Sequence, residues 1–515
     1  MAPPRAGRLT FRRGFPDTAK VCAMSTNTHE SQESRESQDA AGLSRRSFVA
    51  RSATAGAGLA IAGTAGVLAT APGAVGEPGH DDGRGRREPG YGPLVSDPAG
   101  ILSLPAGFSY RVITRAGQTT LDSGETTPSN HDGTGCFAGS RGAHLLVVNH
   151  ELDGPRSEAD HPVPLAEGLV YDPGAPGGCT VVEVVDGGDH VTEWVGIAGT
   201  ANNCAGGTTP WGTWLTCEEN ADRAGENGMT KDHGYVFEVD PYDREANRSP
   251  RPIKALGRFE HEAVVVDPRR GDLYLTEDAD EPNGLFYRWV QPHGFRHGRG
   301  RLGTLADDAG TLQAFKCFDA QGRFVDDLSR TTRTGTVYGV DWVDVPDRDA
   351  RETSIREQFG EGEITRARKL EGMWWGDDGA YFVSSYAREE SPGTPHDGQV
   401  WFYDPRRRTV TLKVLLGVNP DPWVEGRQDG PDNITVSPYG GLIIAEDGDG
   451  LQHLFGATDD GRTWALARNE VNIGTAEEPE FSEFTGVTFS PDGETLYAHI
   501  QEPGIMLAIT GPWHR

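Results

Sequence analysis

Cys217-Glu218-Glu219 ends a short aromatic segment, residues 202–220, that passes through Gly206-Gly207, Pro210 and Trp211-Gly212-Thr213-Trp214. Carboxylates beside a thiol raise its pKa. A bound cation reverses this, deprotonating the thiol and neutralising the acids. Taken alone, the segment reads as a buried cysteine next to a solvated acidic turn. It is not alone. Residues 145–148 lead to Asn149-His150-Glu151, residues 273–276 to Glu277-Asp278, residues 442–445 to Glu446-Asp447, and residues 496–500 to Gln501-Glu502. Residues 380–383 form a variant that ends in Ser384-Ser385-Tyr386.

Each of these runs is short and rich in β-branched or aromatic residues, the composition of a strand. Turns precede them: Asp267-Pro268-Arg269-Arg270-Gly271, Gly376-Asp377-Asp378-Gly379, Ser437-Pro438-Tyr439-Gly440-Gly441 and Ser490-Pro491-Asp492-Gly493. Proline presets φ in such turns and glycine supplies positive φ. Another short strand stands before each turn, at residues 263–266, 373–375, 434–436 and 487–489. The repeating unit is a β-hairpin, recurring at a period of roughly 50 to 70 residues, which predicts an all-β propeller of about six blades.

In an antiparallel hairpin the start of the first strand lies beside the end of the second. Glu262 opens one first strand, and Glu277 and Asp278 close its partner. Asp432 and Asn433 stand in the same relation to Glu446 and Asp447. Glu371 opens its own hairpin, and Glu483 lies just before the corresponding place in the last. Equivalent ends of all blades face one mouth of the channel, so these acids are expected to converge. Unpaired buried charges cost several kcal/mol each, and convergence therefore calls for bound metal. The competing view makes them exposed turn residues.

The chain has 515 residues and a formal net charge of −29. That charge argues against nucleic-acid partners and anionic membrane surfaces. Ser44-Arg45-Arg46-Ser47-Phe48-Val49 precedes a mildly apolar Ala/Gly run and reads as a twin-arginine export signal. The run is too rich in small residues for a membrane anchor. The expected organisation is an N-terminal extension and signal over 1–76, a disordered linker over 77–90, and a propeller catalytic domain over 91–515. An extracellular, cell-wall or periplasmic monomer is expected. Five cysteines follow the signal: Cys136, Cys179, Cys204, Cys217 and Cys317. Cys217 is the one expected to be unpaired, and Cys136 could bridge to Cys179 or Cys204.

Residues 202–220, His261-Glu262-Ala263, Pro431-Asp432-Asn433-Ile434 and Glu483-Phe484-Thr485-Gly486 resemble the PhoX family of secreted alkaline phosphatases. The resemblance spans most of the chain after the linker. It implies a six-bladed propeller that hydrolyses phosphate esters with an iron and calcium cluster at the channel mouth. Carried over, Cys217, Glu262 and Glu371 correspond to iron ligands. Glu151, Glu218, Glu219, Glu277, Asp278, Asp432, Glu446 and Glu483 are the expected calcium ligands. Iron(III) accepts thiolate and carboxylate, and calcium takes several oxygens. Family members carry Arg-Pro just before the acid matching Glu371. Here Lys369-Leu370 stands there, so Lys369 is the expected phosphate-facing catalytic residue, as a point charge rather than a bidentate fork. His150 and His261 are candidate supporting groups. Two alternatives are a calcium-dependent hydrolase of the lactonase type, which needs no Cys217, and a non-catalytic propeller held together by its cations.

Overall fold

A computed structural model describes residues 89–388 and 393–514. The N-terminal extension, the export signal and the linker up to residue 88 lie outside the described residues. Among the described residues helical structure is limited to single 3-10 turns, and the strands group into six antiparallel units.

Blade I comprises His131–Ala138, His144–His150, Gly177–Val185 and His190–Thr200. Blade II comprises Asn203–Thr208, Trp214–Glu218 and Val236–Val239. Blade III comprises His261–Val266, Leu273–Glu277, Phe286–Val290 and Thr311–Phe318. Blade IV comprises Leu370–Gly376, Gly379–Ser384, Gly398–Asp404 and Thr409–Leu416. The strand Val337–Asp344 joins the outer edges of blades III and IV into one continuous sheet. Blade V comprises Pro431–Val436, Leu442–Glu446, His453–Ala457 and Thr463–Asn469. Blade VI comprises Phe484–Phe489, Thr495–Ile500 and Ile505–Thr510, completed by Ser109–Arg115 from the other end of the domain.

The first strand of each blade touches the first strand of the next, and the last returns to the first, closing a ring of six. The turn chemistry expected from sequence is present. Ser437 and Gly441 close one hairpin through a 3.0 Å backbone bond, and Gly440 N–H donates to the Ser437 carbonyl. Asp377 and Asp378 take φ of 50° and 64°, the conformation of a tight two-residue hairpin loop.

Alternation along each strand explains how the ring coheres. Successive side chains point to opposite faces, and here each face meets a neighbouring blade. Leu145 and Val147 pack with Trp214 and Phe237 of blade II, while Leu146 and Val148 pack with Tyr497 and Met506 of blade VI. Leu442 and Ile444 pack with Tyr381 and Val383 of blade IV, while Ile443 and Ala445 pack with Phe484 and Leu496 of blade VI. Two further cores lie between blades II and III and between blades III and IV. Burial on both faces is why these strands read as unbroken apolar runs.

The inner strands approach so closely that some positions exclude any side chain. A Cβ on Gly207 would lie 1.7 Å from the carbonyl oxygen of Val264 in the next blade. Gly207→Ala is therefore expected to destabilise the fold by about 1–3 kcal/mol or more, seen as a fall in Tm. Gly303→Ala, where a Cβ meets nothing within 4 Å, should leave Tm nearly unchanged.

Candidate metal centre

All six inner strands carry the same irregularity. Register shifts fall between His131 and Thr134, Asn203 and Gly206, His261 and Val264, Leu370 and Met373, Pro431 and Ile434, and Thr485 and Thr488. In each case two residues oppose one on the second strand. Such a bulge re-aims a side chain and increases local twist. The first bulged residues are Asp132, Cys204, Glu262, Glu371, Asp432 and Gly486. Five of these six positions hold a potential ligand.

The second bulged residues are Gly133, Ala205, Ala263, Gly372, Asn433 and Val487. The neighbouring backbone accounts for both glycines among them. A Cβ on Gly133 would sit 2.6 Å from the Ala205 Cα, and one on Gly372 2.8 Å from the Asn433 Cα. Polar ties lock neighbouring bulges together. The Asn149 amide donates to the Cys204 and Ala205 carbonyls at 2.8 and 2.7 Å. The Thr276 hydroxyl donates to the Glu371 carbonyl at 2.9 Å, and Gly486 N–H donates to Asn433 Oδ1 at 2.7 Å.

These strands bring donor atoms into three overlapping sets, each spanning no more than 4.8 Å: Cys204, Glu219 and Glu262; Glu262, Glu371 and Asp432; Asp432, Asp447 and Glu483. Glu262 and Asp432 are shared, so the sets form one continuous run. Asp132 joins its flank. Burial, reinforced by the nearby carboxylates of Glu151, Asp432 and Glu262, pushes its pKa well above the usual range. The Gln501 amide donates to Glu151 at 2.6 Å and to Asp132 at 3.2 Å. Lys369 Nζ lies 2.9 Å from Asp278 and 3.4 Å from Glu371, at the edge of the run.

The thiol is a correction to the sequence expectation. Cys204, not Cys217, stands among the carboxylates. Cys217 lies on the second strand of blade II, opposite the bulge, within an apolar cluster with Leu215, Val236, Val264 and Leu275. Burial raises the Cys204 thiol well above its ordinary value, with Glu262, Glu219, Glu151 and Asp132 adding to the effect. A cation would reverse that. Among the described residues, Cys136, Cys179, Cys204, Cys217 and Cys317 are all free thiols, so the bridge considered for Cys136 is not formed.

A second correction concerns the paired acids. Glu218, Glu277 and Glu446 end their second strands at equivalent positions, opposite the first residue of the inner strand. All three are turned into the protein. Glu218 accepts from Ala201 N, Gly234 N, Tyr235 N and His233 Nδ1. Glu277 accepts from Leu285 N, the Tyr287 hydroxyl and Arg356. Glu446 accepts from His453 N at 2.6 Å, His453 Nδ1 at 2.7 Å and Asp429 N. Each carboxylate clamps the loop that enters the third strand of its blade, and its oxygens are engaged there rather than at the mouth. The following residue carries the mouth-side acid: Glu219, Asp278 and Asp447, with Glu151 in blade I.

The two candidate histidines are also internal. His261 bonds the Gly257 carbonyl at 3.2 Å, and burial lowers its pKa to about 3. His150 bonds the Ser129 carbonyl and Thr180, and burial lowers it to about 4. Cys204 in the donor run and Asp132 on its flank escape a reading that starts from acidic strand ends, and Asp447 stands in the run where the expected ligand set held its neighbour Glu446. Superposing Asn203-Cys204-Ala205 and His131-Asp132-Gly133 on His261-Glu262-Ala263 would have marked Cys204 and Asp132.

A family profile described as alkaline phosphatase PhoX matches residues 89–192 and 187–504. The chain belongs to the PhoX family of alkaline phosphatases. Membership makes it a phosphatase-type hydrolase. Its fold is similar to that of Pseudomonas fluorescens PhoX, solved with vanadate as a transition-state analogue, with a TM-score of 0.58 and 20% identity over 80% of this chain and 96% of that one. Weaker likenesses include a putative gluconolactonase (TM-score 0.38, 11% identity, 81% of this chain and 96% of that one) and a pyranose dehydrogenase PQQ domain from Coprinopsis cinerea (0.37, 10%, 81% and 98%). Neither carries an argument about this PhoX-family protein. No curated protein matches. No helix among the described residues is long and apolar enough to cross a membrane.

The Glu218 clamp has a pH signature. Burial opposes charge on His233, but Glu218 at 2.6 Å and Asp172 at 3.3 Å overcome it and carry its pKa up to about 9. The folded state then holds a proton that the unfolded chain releases above about 6.5. This contribution to stability is full below pH 6.5 and is lost as pH rises through about 9. Tm of the parent protein should decline from pH 7 to 10, and His233→Gln should be less stable at pH 7 with a flatter decline.

Proposed function

We propose that this chain hydrolyses organic phosphomonoesters at a mixed iron and calcium centre in the propeller mouth. The observation that carries the reading is the continuous donor run, with a thiol at one end and carboxylates along the rest, in a chain of this family. The donor chemistry fits both ions. Thiolate with carboxylate suits iron(III), and sets built from oxygen alone suit calcium. Cys204, Glu219, Glu262 and Glu371 are the iron candidates. Asp432, Asp447, Glu483, Glu151 and Asp132 are the calcium candidates. Bound ions supply Lewis-acid charge for the phosphoryl oxygens and lower the pKa of water.

The protein's own contribution is placement. Cys204, Glu262, Glu371 and Asp432 stand on bulges, and the Cys204 and Glu371 carbonyls are tied to side chains of neighbouring blades, so little reorganisation is needed as charge develops. Lys369 adds a positive charge at the edge of the run, paired with Asp278 and Glu371. A phosphoryl oxygen can compete for that ammonium. The Ser44-Arg45-Arg46 signature supports export of the folded, loaded protein by the twin-arginine machinery.

Elemental analysis of the purified protein should find iron together with calcium. Cys204→Ser, Glu262→Gln and Glu371→Gln should each deplete iron and abolish phosphomonoester hydrolysis while far-UV circular dichroism stays that of the parent. Cys217→Ser should retain iron and lower only Tm. Full activity with calcium alone would overturn the iron assignment.

Lys369→Ala should reduce kcat/KM roughly ten- to a hundredfold at constant ion content, the worth of a charge-assisted contact of about 1.5–3 kcal/mol. Lys369→Arg should keep or improve activity. Unchanged kinetics in the alanine variant would leave phosphate binding to the ions alone.

A further inference from the structure

Four of the nine large hydrophobic side chains exposed among the described residues, Val418, Trp423, Val424 and Ile473, fall in two loops. One loop, residues 417–430, runs from the outer strand of blade IV to the inner strand of blade V. The other, residues 470–483, runs from the outer strand of blade V to the inner strand of blade VI. Both deliver the chain to the same donor set, the first ending just before Asp432 and the second at Glu483 itself.

Trp423 is 49% exposed, yet its loop is anchored. Leu451 N–H donates to the Pro422 carbonyl at 3.0 Å, and Asp447 N–H donates to the Gly430 carbonyl at 2.8 Å. The second loop is a small hairpin. Asn472 pairs with Phe481, Ile473 N–H donates to the Glu480 carbonyl at 2.9 Å, and the Asn469 amide donates to the Ser482 carbonyl at 2.7 Å. The two loops meet through their aromatics. The rings of Trp423 and Phe481 lie 6.4 Å apart at 61°, an edge-on pair. Phe481 is two residues from Glu483. A half-exposed indole on an anchored loop thus packs against Phe481, two residues before Glu483 in the Asp432–Asp447–Glu483 set. Lys369, by contrast, marks the Asp278–Glu371 side.

We infer that Trp423, supported by Phe481, forms the subsite for the organic group of the ester, and that the chain prefers aryl phosphates to small polar ones. This rests on the phosphatase reading. Continuity with the donor run selects the occupant: a group covalently attached to a phosphate held there must lie over the adjoining rim. An aromatic wall rewards an aryl group and gives little to a hydroxylated one. The reaction is balanced by water alone. Water adds to phosphorus, the bond from phosphorus to the organic oxygen breaks, and that oxygen takes the proton the water gives up.

The experiment compares 2-naphthyl phosphate with glycerol 2-phosphate on the iron- and calcium-loaded protein. Trp423→Ala should lower kcat/KM for the naphthyl ester about tenfold, the size of one lost aromatic contact, mainly through KM. The glycerol ester should change less than twofold. Trp423→Phe should recover most of the loss. Exposure of Trp423 means the alanine variant should keep its Tm, which is measured alongside. An unchanged ratio between the two esters overturns the inference and leaves the phosphatase reading intact. So does loss of binding to phosphatidylcholine vesicles at an unchanged ratio, which would assign the patch to a lipid surface. Failure of the loaded parent protein to hydrolyse either ester overturns the phosphatase reading and this inference with it.

Discussion

Mutual repulsion of carboxylates gathered on one axis is the constraint to which the rest of the molecule answers. Separate blades deliver Glu262, Glu371 and Asp432 to within 4.8 Å of one another. Nothing local in the chain holds them there, since more than sixty residues separate Glu371 from Asp432 and more than a hundred separate Glu262 from Glu371. The arrangement survives only if the backbone beneath it cannot relax. Small residues after the ligand positions, cross-blade amide and hydroxyl ties, and six apolar cores between blades all serve that end. Cations at the mouth would turn the repulsion into a binding force, because a site that is costly when empty favours its ions strongly.

Paired acids at strand ends illustrate how one motif divides into two tasks. Glu218-Glu219, Glu277-Asp278 and Glu446-Asp447 are alike in sequence. The strand's two-residue period sends the first of each pair inward and leaves the second at the mouth. The inward carboxylate meets backbone N–H groups and a histidine, tyrosine or arginine. A residue satisfied in this way is a structural staple that happens to share the ligand's chemistry.

Much of the fold was legible in the sequence for this reason. Hairpins announced themselves through Ser437-Pro438 and Ser490-Pro491 turns, and their recurrence gave the propeller. The mouth was legible as a region, from Glu262, Glu371 and Asp432. What the sequence concealed was the bulge. A bulge is a pairing property, set by where two residues face one, and no single strand displays it. Without it Cys204 looked like part of a glycine-rich turn, and Cys217, two residues before Glu219, looked like the ligand. Blade alignment recovers the answer because the bulge repeats six times. The exact fate of Glu218, Glu277 and Glu446 was hidden for a related cause: their partners, such as His233 and Arg356, lie in loops without periodicity.

The sixth blade is built from both ends of the domain. Ser109–Arg115 pairs with Ile505–Thr510, so residues about four hundred positions apart must meet before the ring exists. Contacts of such separation form late, because loop closure precedes any reward. The ring that gathers the run of acids is therefore closed only once Ile505–Thr510 has been made and paired with Ser109–Arg115. Loss of Ile505–Thr510 would remove the partner of Ser109–Arg115 and open blade VI at this seam. The geometry of the donor run thus depends on a junction at the outer edge of the blade, and not merely on the donor residues themselves.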